Sequence, residues 1–175
     1  VKFVRAPRTE DAQAPATKLA GIDTPLPTSD AYARLQYMQP VPDGSGRLIV
    51  SDLRGLLYLT NETGDSLSVY LDLRQAASDF GKGIFPNEAG LLGFTFHPGF
   101  ADPKSPGYGR LYTAYSASPD TGVADYLADN ATSHQSVLRE WVTQEPQAKE
   151  FDGLSREILR VGQFAPNHNI ATLAF

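Results

Sequence analysis

The feature that most limits what this chain folds into is its punctuation. Short runs rich in leucine, β-branched and aromatic residues recur about 9 to 12 residues apart, each closed by a turn signal. The first series lies at 35–40, 47–51, 56–60 and 67–73. Its breaks are Pro42-Asp43-Gly44-Ser45-Gly46, Leu53-Arg54-Gly55 and the stretch from Asn61 to Asp65. Four such runs predict one antiparallel meander. A second series follows a longer connection, at 91–97, 110–116, 135–143 and 156–161. Within 135–143, Val137, Arg139 and Trp141 share one face, and Leu138, Glu140 and Val142 share the other. Neither face is purely polar, as expected of a sheet covered on both sides. Helical turns fit only 74–80 and 122–129.

Two consecutive four-stranded units, with the first strand of a third at 172–175, predict an all-β chain. The expected architecture is a β-propeller of four-stranded antiparallel blades. A two-sheet sandwich made from the same eight strands is the alternative that the pattern leaves open. A closed propeller needs about four blades or more, and this chain holds about two and the start of a third. The expectation is therefore a truncated chain with further blades missing from it. Residues 1–33, rich in Pro, Ala, Thr and Asp without apolar periodicity, read as an irregular N-terminal arm. Residues 34–175 read as a partial propeller domain.

Thirteen prolines and fifteen glycines suit a chain broken by turns. The net charge is −5, from 15 basic and 20 acidic residues, and no basic stripe forms, which argues against a nucleic-acid partner. The absence of cysteine removes disulfides, thiolate metal sites and cysteine nucleophiles. No apolar stretch is long enough to suggest a membrane span. The chain starts at Val1 with no apolar leader, and reads as a processed or trimmed product. Two glycosylation sequons occur, Asn61-Glu62-Thr63 and Asn130-Ala131-Thr132, a triplet that also arises by chance. No Asp-x-Asp-x-Asp-Gly calcium loop is present, and Asp120, Asp125 and Asp129 read as a solvated loop cluster. Gly44-Ser45-Gly46 and Gly81-Lys82-Gly83 lack the rest of a phosphate-binding motif and read as turns.

One segment is more specific. Asn87-Glu88-Ala89-Gly90-Leu91-Leu92-Gly93-Phe94-Thr95-Phe96-His97-Pro98-Gly99-Phe100 resembles a motif of the glucose/sorbosone dehydrogenase family. In that family an acidic or amide residue precedes Gly-Leu-Leu-Gly, and the strand ends in Phe-His-Pro-x-Phe. Gly109 to Tyr115, Ser136 to Trp141 and Arg156 to Arg160 resemble the family's next three strands. Asn167-His168-Asn169, followed by Leu173-Ala174-Phe175, resembles its His-Asn-Gly-Gly approach to the following blade. The likeness runs from about residue 35 to the end in one order. Ile170-Ala171 stand where the family has its glycine pair.

The resemblance implies a quinoprotein oxidoreductase that oxidises the CH–OH group of aldose sugars with pyrroloquinoline quinone (PQQ). His168 takes the position of the family's general base, which removes the hydroxyl proton, and it lies beside the cofactor. Histidine suits that role because imidazole exchanges a proton near neutral pH. Glu88 takes the position that contacts sugar and cofactor, with a solvated turn residue as the alternative, and Asn167, immediately before the base, is a candidate sugar hydrogen-bond partner. His97 reads as a structural residue of its turn, and His134 as a solvent-exposed loop residue. The family's calcium ligands and PQQ-holding basic residues come from later blades, outside this chain. The implied partners are a sugar and an electron acceptor, and the implied compartment is periplasmic or secreted. The alternative is a non-catalytic propeller of the same superfamily that binds protein or carbohydrate.

Overall fold

The computed structural model describes residues 33–81, 88–127, 133–165, 167 and 169–175. The predicted arm lies, but for Ala33, outside the described residues. Strands β1 (Leu35–Pro40), β2 (Arg47–Asp52), β3 (Leu56–Asn61) and β4 (Leu67–Asp72) pair in chain order as an antiparallel meander. One helical turn follows, α1 (Leu73–Ala76), starting one residue before the 74–80 segment where a turn was expected. Asp72 caps it by accepting from the Arg74 amide at 3.0 Å. The triplet Asp-Leu-Arg occurs twice, at 52–54 and 72–74, and serves the same end each time. The aspartate accepts both the amide and the guanidinium of the arginine two residues on.

The second sheet contains β5 (Leu91–Phe96), β6 (Arg110–Ala117), β8 (His134–Thr143) and β9 (Gly153–Gln163) as antiparallel neighbours. The two-residue strand β7 (Tyr126–Leu127) runs parallel to β9 at its far edge. This part of 122–129 is therefore extended, not helical. Asp125 fixes it, because its amide donates to the Arg160 carbonyl while its carboxylate accepts from the Arg160 amide, each at 2.9 Å. β9 also starts earlier than the sequence suggests. Gly153, Leu154 and Ser155 pair with Thr143, Val142 and Trp141, so partner register extends a run that has no β-rich composition of its own. Residues 172–175, expected as a strand, join no ladder.

The two sheets share one core. Ile49, Leu57, Leu59 and Leu71 from the first meet Phe94, Phe96, Leu111, Tyr115, Val137 and Trp141 from the second. Burying each large apolar side chain there contributes about 1.5–3 kcal/mol, so apolar contact is the main bond between the sheets. Trp141 keeps its indole N–H satisfied by donating to Thr113 Oγ1 at 2.8 Å. Arg47 adds a polar tie, donating to Asp43 in its own turn and to the carbonyls of Pro146 and Ala148 across the seam. The protein is all-β, with an antiparallel four-stranded sheet and a second sheet packed on it. Among the described residues neither sheet closes on itself. No helix there is long and apolar enough to cross a membrane.

Candidate functional site

One end of both sheets forms a rim. The turn after β2, the residues before β5, the end of β6, the start of β8 and the chain after β9 all gather there. Two glycines of the Gly-Leu-Leu-Gly motif make this possible. Gly90 adopts φ of +145°, and a Cβ on it would lie 1.9 Å from the Leu53 carbonyl oxygen. That same carbonyl accepts from the Leu91 amide at 2.8 Å, so the motif is bonded directly to the turn of the first sheet. Only glycine takes this backbone conformation without strain. A Cβ on Gly93 would lie 1.8 Å from the Ala171 carbonyl oxygen, so the chain after Asn169 lies flat on the strand at this point. Ala171 thus lies at a tight backbone crossing.

Asn169 joins the two motif segments. Its Nδ2 donates to the Glu88 carbonyl at 2.8 Å, and its Oδ1 meets Nε2 of His134. Nδ1 of His134 in turn meets Ser133 Oγ at 2.8 Å. A carbonyl accepts only, so the Asn169 amide group must face Glu88 and its oxygen must face His134. The imidazole therefore carries a proton on Nε2, which it donates to Asn169 Oδ1. His134 is only 1% exposed. It is the first residue of β8, opposite Gln163, and not the exposed loop residue expected from its polar neighbours. Burial here comes from Asn169, a partner 35 positions away that local sequence does not reveal.

Of the sequence-predicted site residues, Glu88 and Asn167 are both exposed at this rim. His168, between Asn167 and Asn169 in the chain, lies outside the described residues. His97 sits at the opposite end of β5, where its Nδ1 accepts from the Gly99 amide at 3.0 Å and its ring meets Phe175 edge-on. It ties the Phe-His-Pro turn. Asp125 spends its carboxylate on the Arg160 backbone, and Asp129 lies outside the described residues. No group of three His, Cys, Asp or Glu among the described residues is arranged to hold a metal ion.

A buried ionic network backs the rim. Asp79 accepts from the Tyr115 hydroxyl at 2.9 Å and from Arg160 at 2.6 Å. Arg160, 3% exposed, also binds Glu157 with two nitrogens and donates to Gln135. The Glu157 hydrogen bonds, with help from Asp79, hold the Arg160 guanidinium more firmly protonated than usual. Burial pushes the Tyr115 phenol up, and the Asp79 charge adds to that. Arg139 donates to Tyr115 and pairs loosely with Asp79 and Glu157. Arg54 and Arg74, at the same end, are each held by their aspartates. These four rim arginines are thus committed to carboxylates inside the protein. They do not fit a cradle for the carboxylates of PQQ, and the described residues alone offer neither a PQQ nor a calcium site. Nothing in the sequence separated these structural arginines from ligand-binding ones, because Asp79 lies in a segment without periodic pattern. Neither the models of known protein families nor the curated protein sequences match this chain.

Proposed function

We propose that this rim is part of the sugar-oxidising site of a quinoprotein built as a β-propeller, the two sheets being adjacent blades. The observation that carries the reading is the Asn169 carboxamide, which joins the Asn-Glu-Ala-Gly-Leu-Leu-Gly segment to the Asn-His-Asn segment. These are the two stretches that resemble the family's substrate-facing motifs. In this reading the anomeric C–OH becomes C=O. The hydroxyl proton passes to the His168 imidazole, and the hydrogen on carbon leaves with its electron pair to an oxidant. Glu88 and Asn167 hold the sugar hydroxyls. The resemblance names PQQ as oxidant, and its holding residues lie beyond those described. Further blades have surfaces to cover: Leu35, Tyr37 and Met38 on β1, and Leu154, Ile158 and Leu159 on β9, are exposed apolar residues.

The test is oxidation of a panel of aldoses by the full-length protein loaded with PQQ and calcium, followed by reduction of an artificial acceptor. Turnover is expected, with loss in His168→Gln while PQQ stays bound. No turnover with any aldose would refute the reading, and full turnover in His168→Gln would remove that residue from the mechanism. The second reading, a non-catalytic binding module, is favoured by the internal neutralisation of the rim arginines. It predicts sugar or protein binding without turnover.

A further inference from the structure

We propose that Asn169 and His134 form a positioning latch that holds the chain at Asn169 against the backbone of Glu88. The inference rests on the oxidoreductase reading for its purpose, and on the hydrogen-bond chain for its existence. Two links point one way, His134 Nε2 donating to Asn169 and Asn169 to the Glu88 carbonyl, and Ser133 Oγ meets the ring at Nδ1. The direction is enforced from the Glu88 end. Its carbonyl offers only an acceptor, which fixes the carboxamide with Oδ1 toward His134, and Oδ1 in turn requires a proton on Nε2. Were the proton on Nδ1 instead, the lone pair on Nε2 would face Asn169 Oδ1. Rotating the carboxamide to relieve that would set oxygen against the Glu88 carbonyl. The imidazole thus decides whether Glu88 is held.

Burial makes the device selective. His134 is nearly inaccessible, so water does not replace a lost partner on its ring. A neighbouring contact keeps the latch in reach, because Ala171 is seated on Gly93 two residues further along. Glu88 and the Asn167–Asn169 segment come from parts of the chain 81 positions apart at the bonded pair, and Asn169 is the side chain that bridges them. His134 is a positioning residue and takes no part in the bond changes.

Three measurements on the full-length protein decide the matter. Long-range nitrogen–proton spectra of histidine-labelled protein should show a proton on Nε2 of His134, and an unprotonated Nε2 would overturn the latch. Amide exchange over 88–91 and 169–171 should quicken roughly tenfold in His134→Phe and Asn169→Leu, the loss of one buried hydrogen bond. His134→Gln, whose amide supplies a donor in place of Nε2–H, should restore slow exchange, and the β6–β8 ladder should stay protected in all three. Unchanged exchange in His134→Phe would overturn the latch. With PQQ, calcium and an active aldose, His134→Phe should lower kcat about tenfold with KM little changed, and His134→Gln should recover it. Native turnover that His134→Phe leaves untouched refutes the positioning role. A native protein without turnover refutes the oxidoreductase reading and the role that depends on it, and the expected spectra and exchange then still uphold the latch itself.

Discussion

Replacing Gly93 with alanine tests the crossing on which the rim depends. The added Cβ would stand 1.8 Å from the Ala171 carbonyl oxygen, where ordinary contact begins near 3.4 Å, so the segment must retreat by about 1.6 Å. The retreat carries Phe175 away from His97 and Tyr112, with ring centroids at 5.0 and 5.4 Å. Such ring pairs are worth about 0.5–1.5 kcal/mol each. Phe175 is 68% exposed, so the lower end applies to both. Alanine returns about 0.5 kcal/mol by restricting the unfolded chain. The net expectation is a loss of about 0.5 kcal/mol in global stability, small for a buried clash because a surface segment yields before the sheet does. Urea unfolding gives that number, and amide exchange at 171–174 locates it. Phe175→Ala should cost about 1 kcal/mol alone and almost nothing in the Gly93→Ala background, since the ring has already left. Full additivity of the two, or native exchange at 171–174 in Gly93→Ala, would refute the reasoning.

Three further outcomes follow from the same contacts. Gly90→Ala combines a disfavoured φ with a Cβ 1.9 Å from the Leu53 carbonyl, and should cost about 3 kcal/mol or more in urea unfolding; a cost below 1 kcal/mol would contradict the seam bond. Asp79→Asn should cost about 2–3 kcal/mol because it removes one of the two carboxylates paired with buried Arg160 and leaves Glu157 alone with it, whereas Tyr115→Phe, losing a hydroxyl, should cost about 1–2 kcal/mol; the reverse order would sink this account of the network. Burial would raise the Glu140 carboxyl, but hydrogen bonds from Arg156, Arg110 and Tyr112 outweigh it and hold the group below its ordinary value. A depressed folded value gives stability present above the unfolded pKa, near ~4.3, and lost as pH falls through the folded one. Glu140→Gln should therefore be less stable than the native protein at pH 7, with the gap closing on acidification, and a gap constant with pH would refute the pairing.

The strands were legible because turns and β-rich runs are local properties. Each of the eight expected strands forms, with ends shifted by no more than three residues. The shifts have a physical direction. β9 grows to Gly153 because Val142 and Trp141 offer partners, and 172–175 stays out of the ladders although its composition suits one. Pairing, unlike propensity, needs a neighbour, and no run of residues announces its neighbour. The helical expectation at 122–129 failed for the same reason, since Asp125 is fixed by Arg160 and not by anything near it in sequence.

The site was legible only where glycine marked it. Gly90 and Gly93 signal close backbone approach, and both approaches exist, one to Leu53 and one to Ala171. Polar residues carried no such signal. His134 sits among serine, threonine and glutamine, the composition of an exposed loop, yet it is buried on a partner 35 residues away. In sequence Arg139 and Arg160 read only as strand residues. Arg160 and Arg139 are neutralised by Asp79 and Glu157, and drawing either toward an external carboxylate would strip a buried aspartate of its partner. Under the proposed function, a rim balanced in this way would suit a neutral, hydroxyl-rich ligand better than an anion. If an anionic quinone works here, its carboxylates must be met by cations from residues other than these, and the sugar and the cofactor are then held by different parts of the protein.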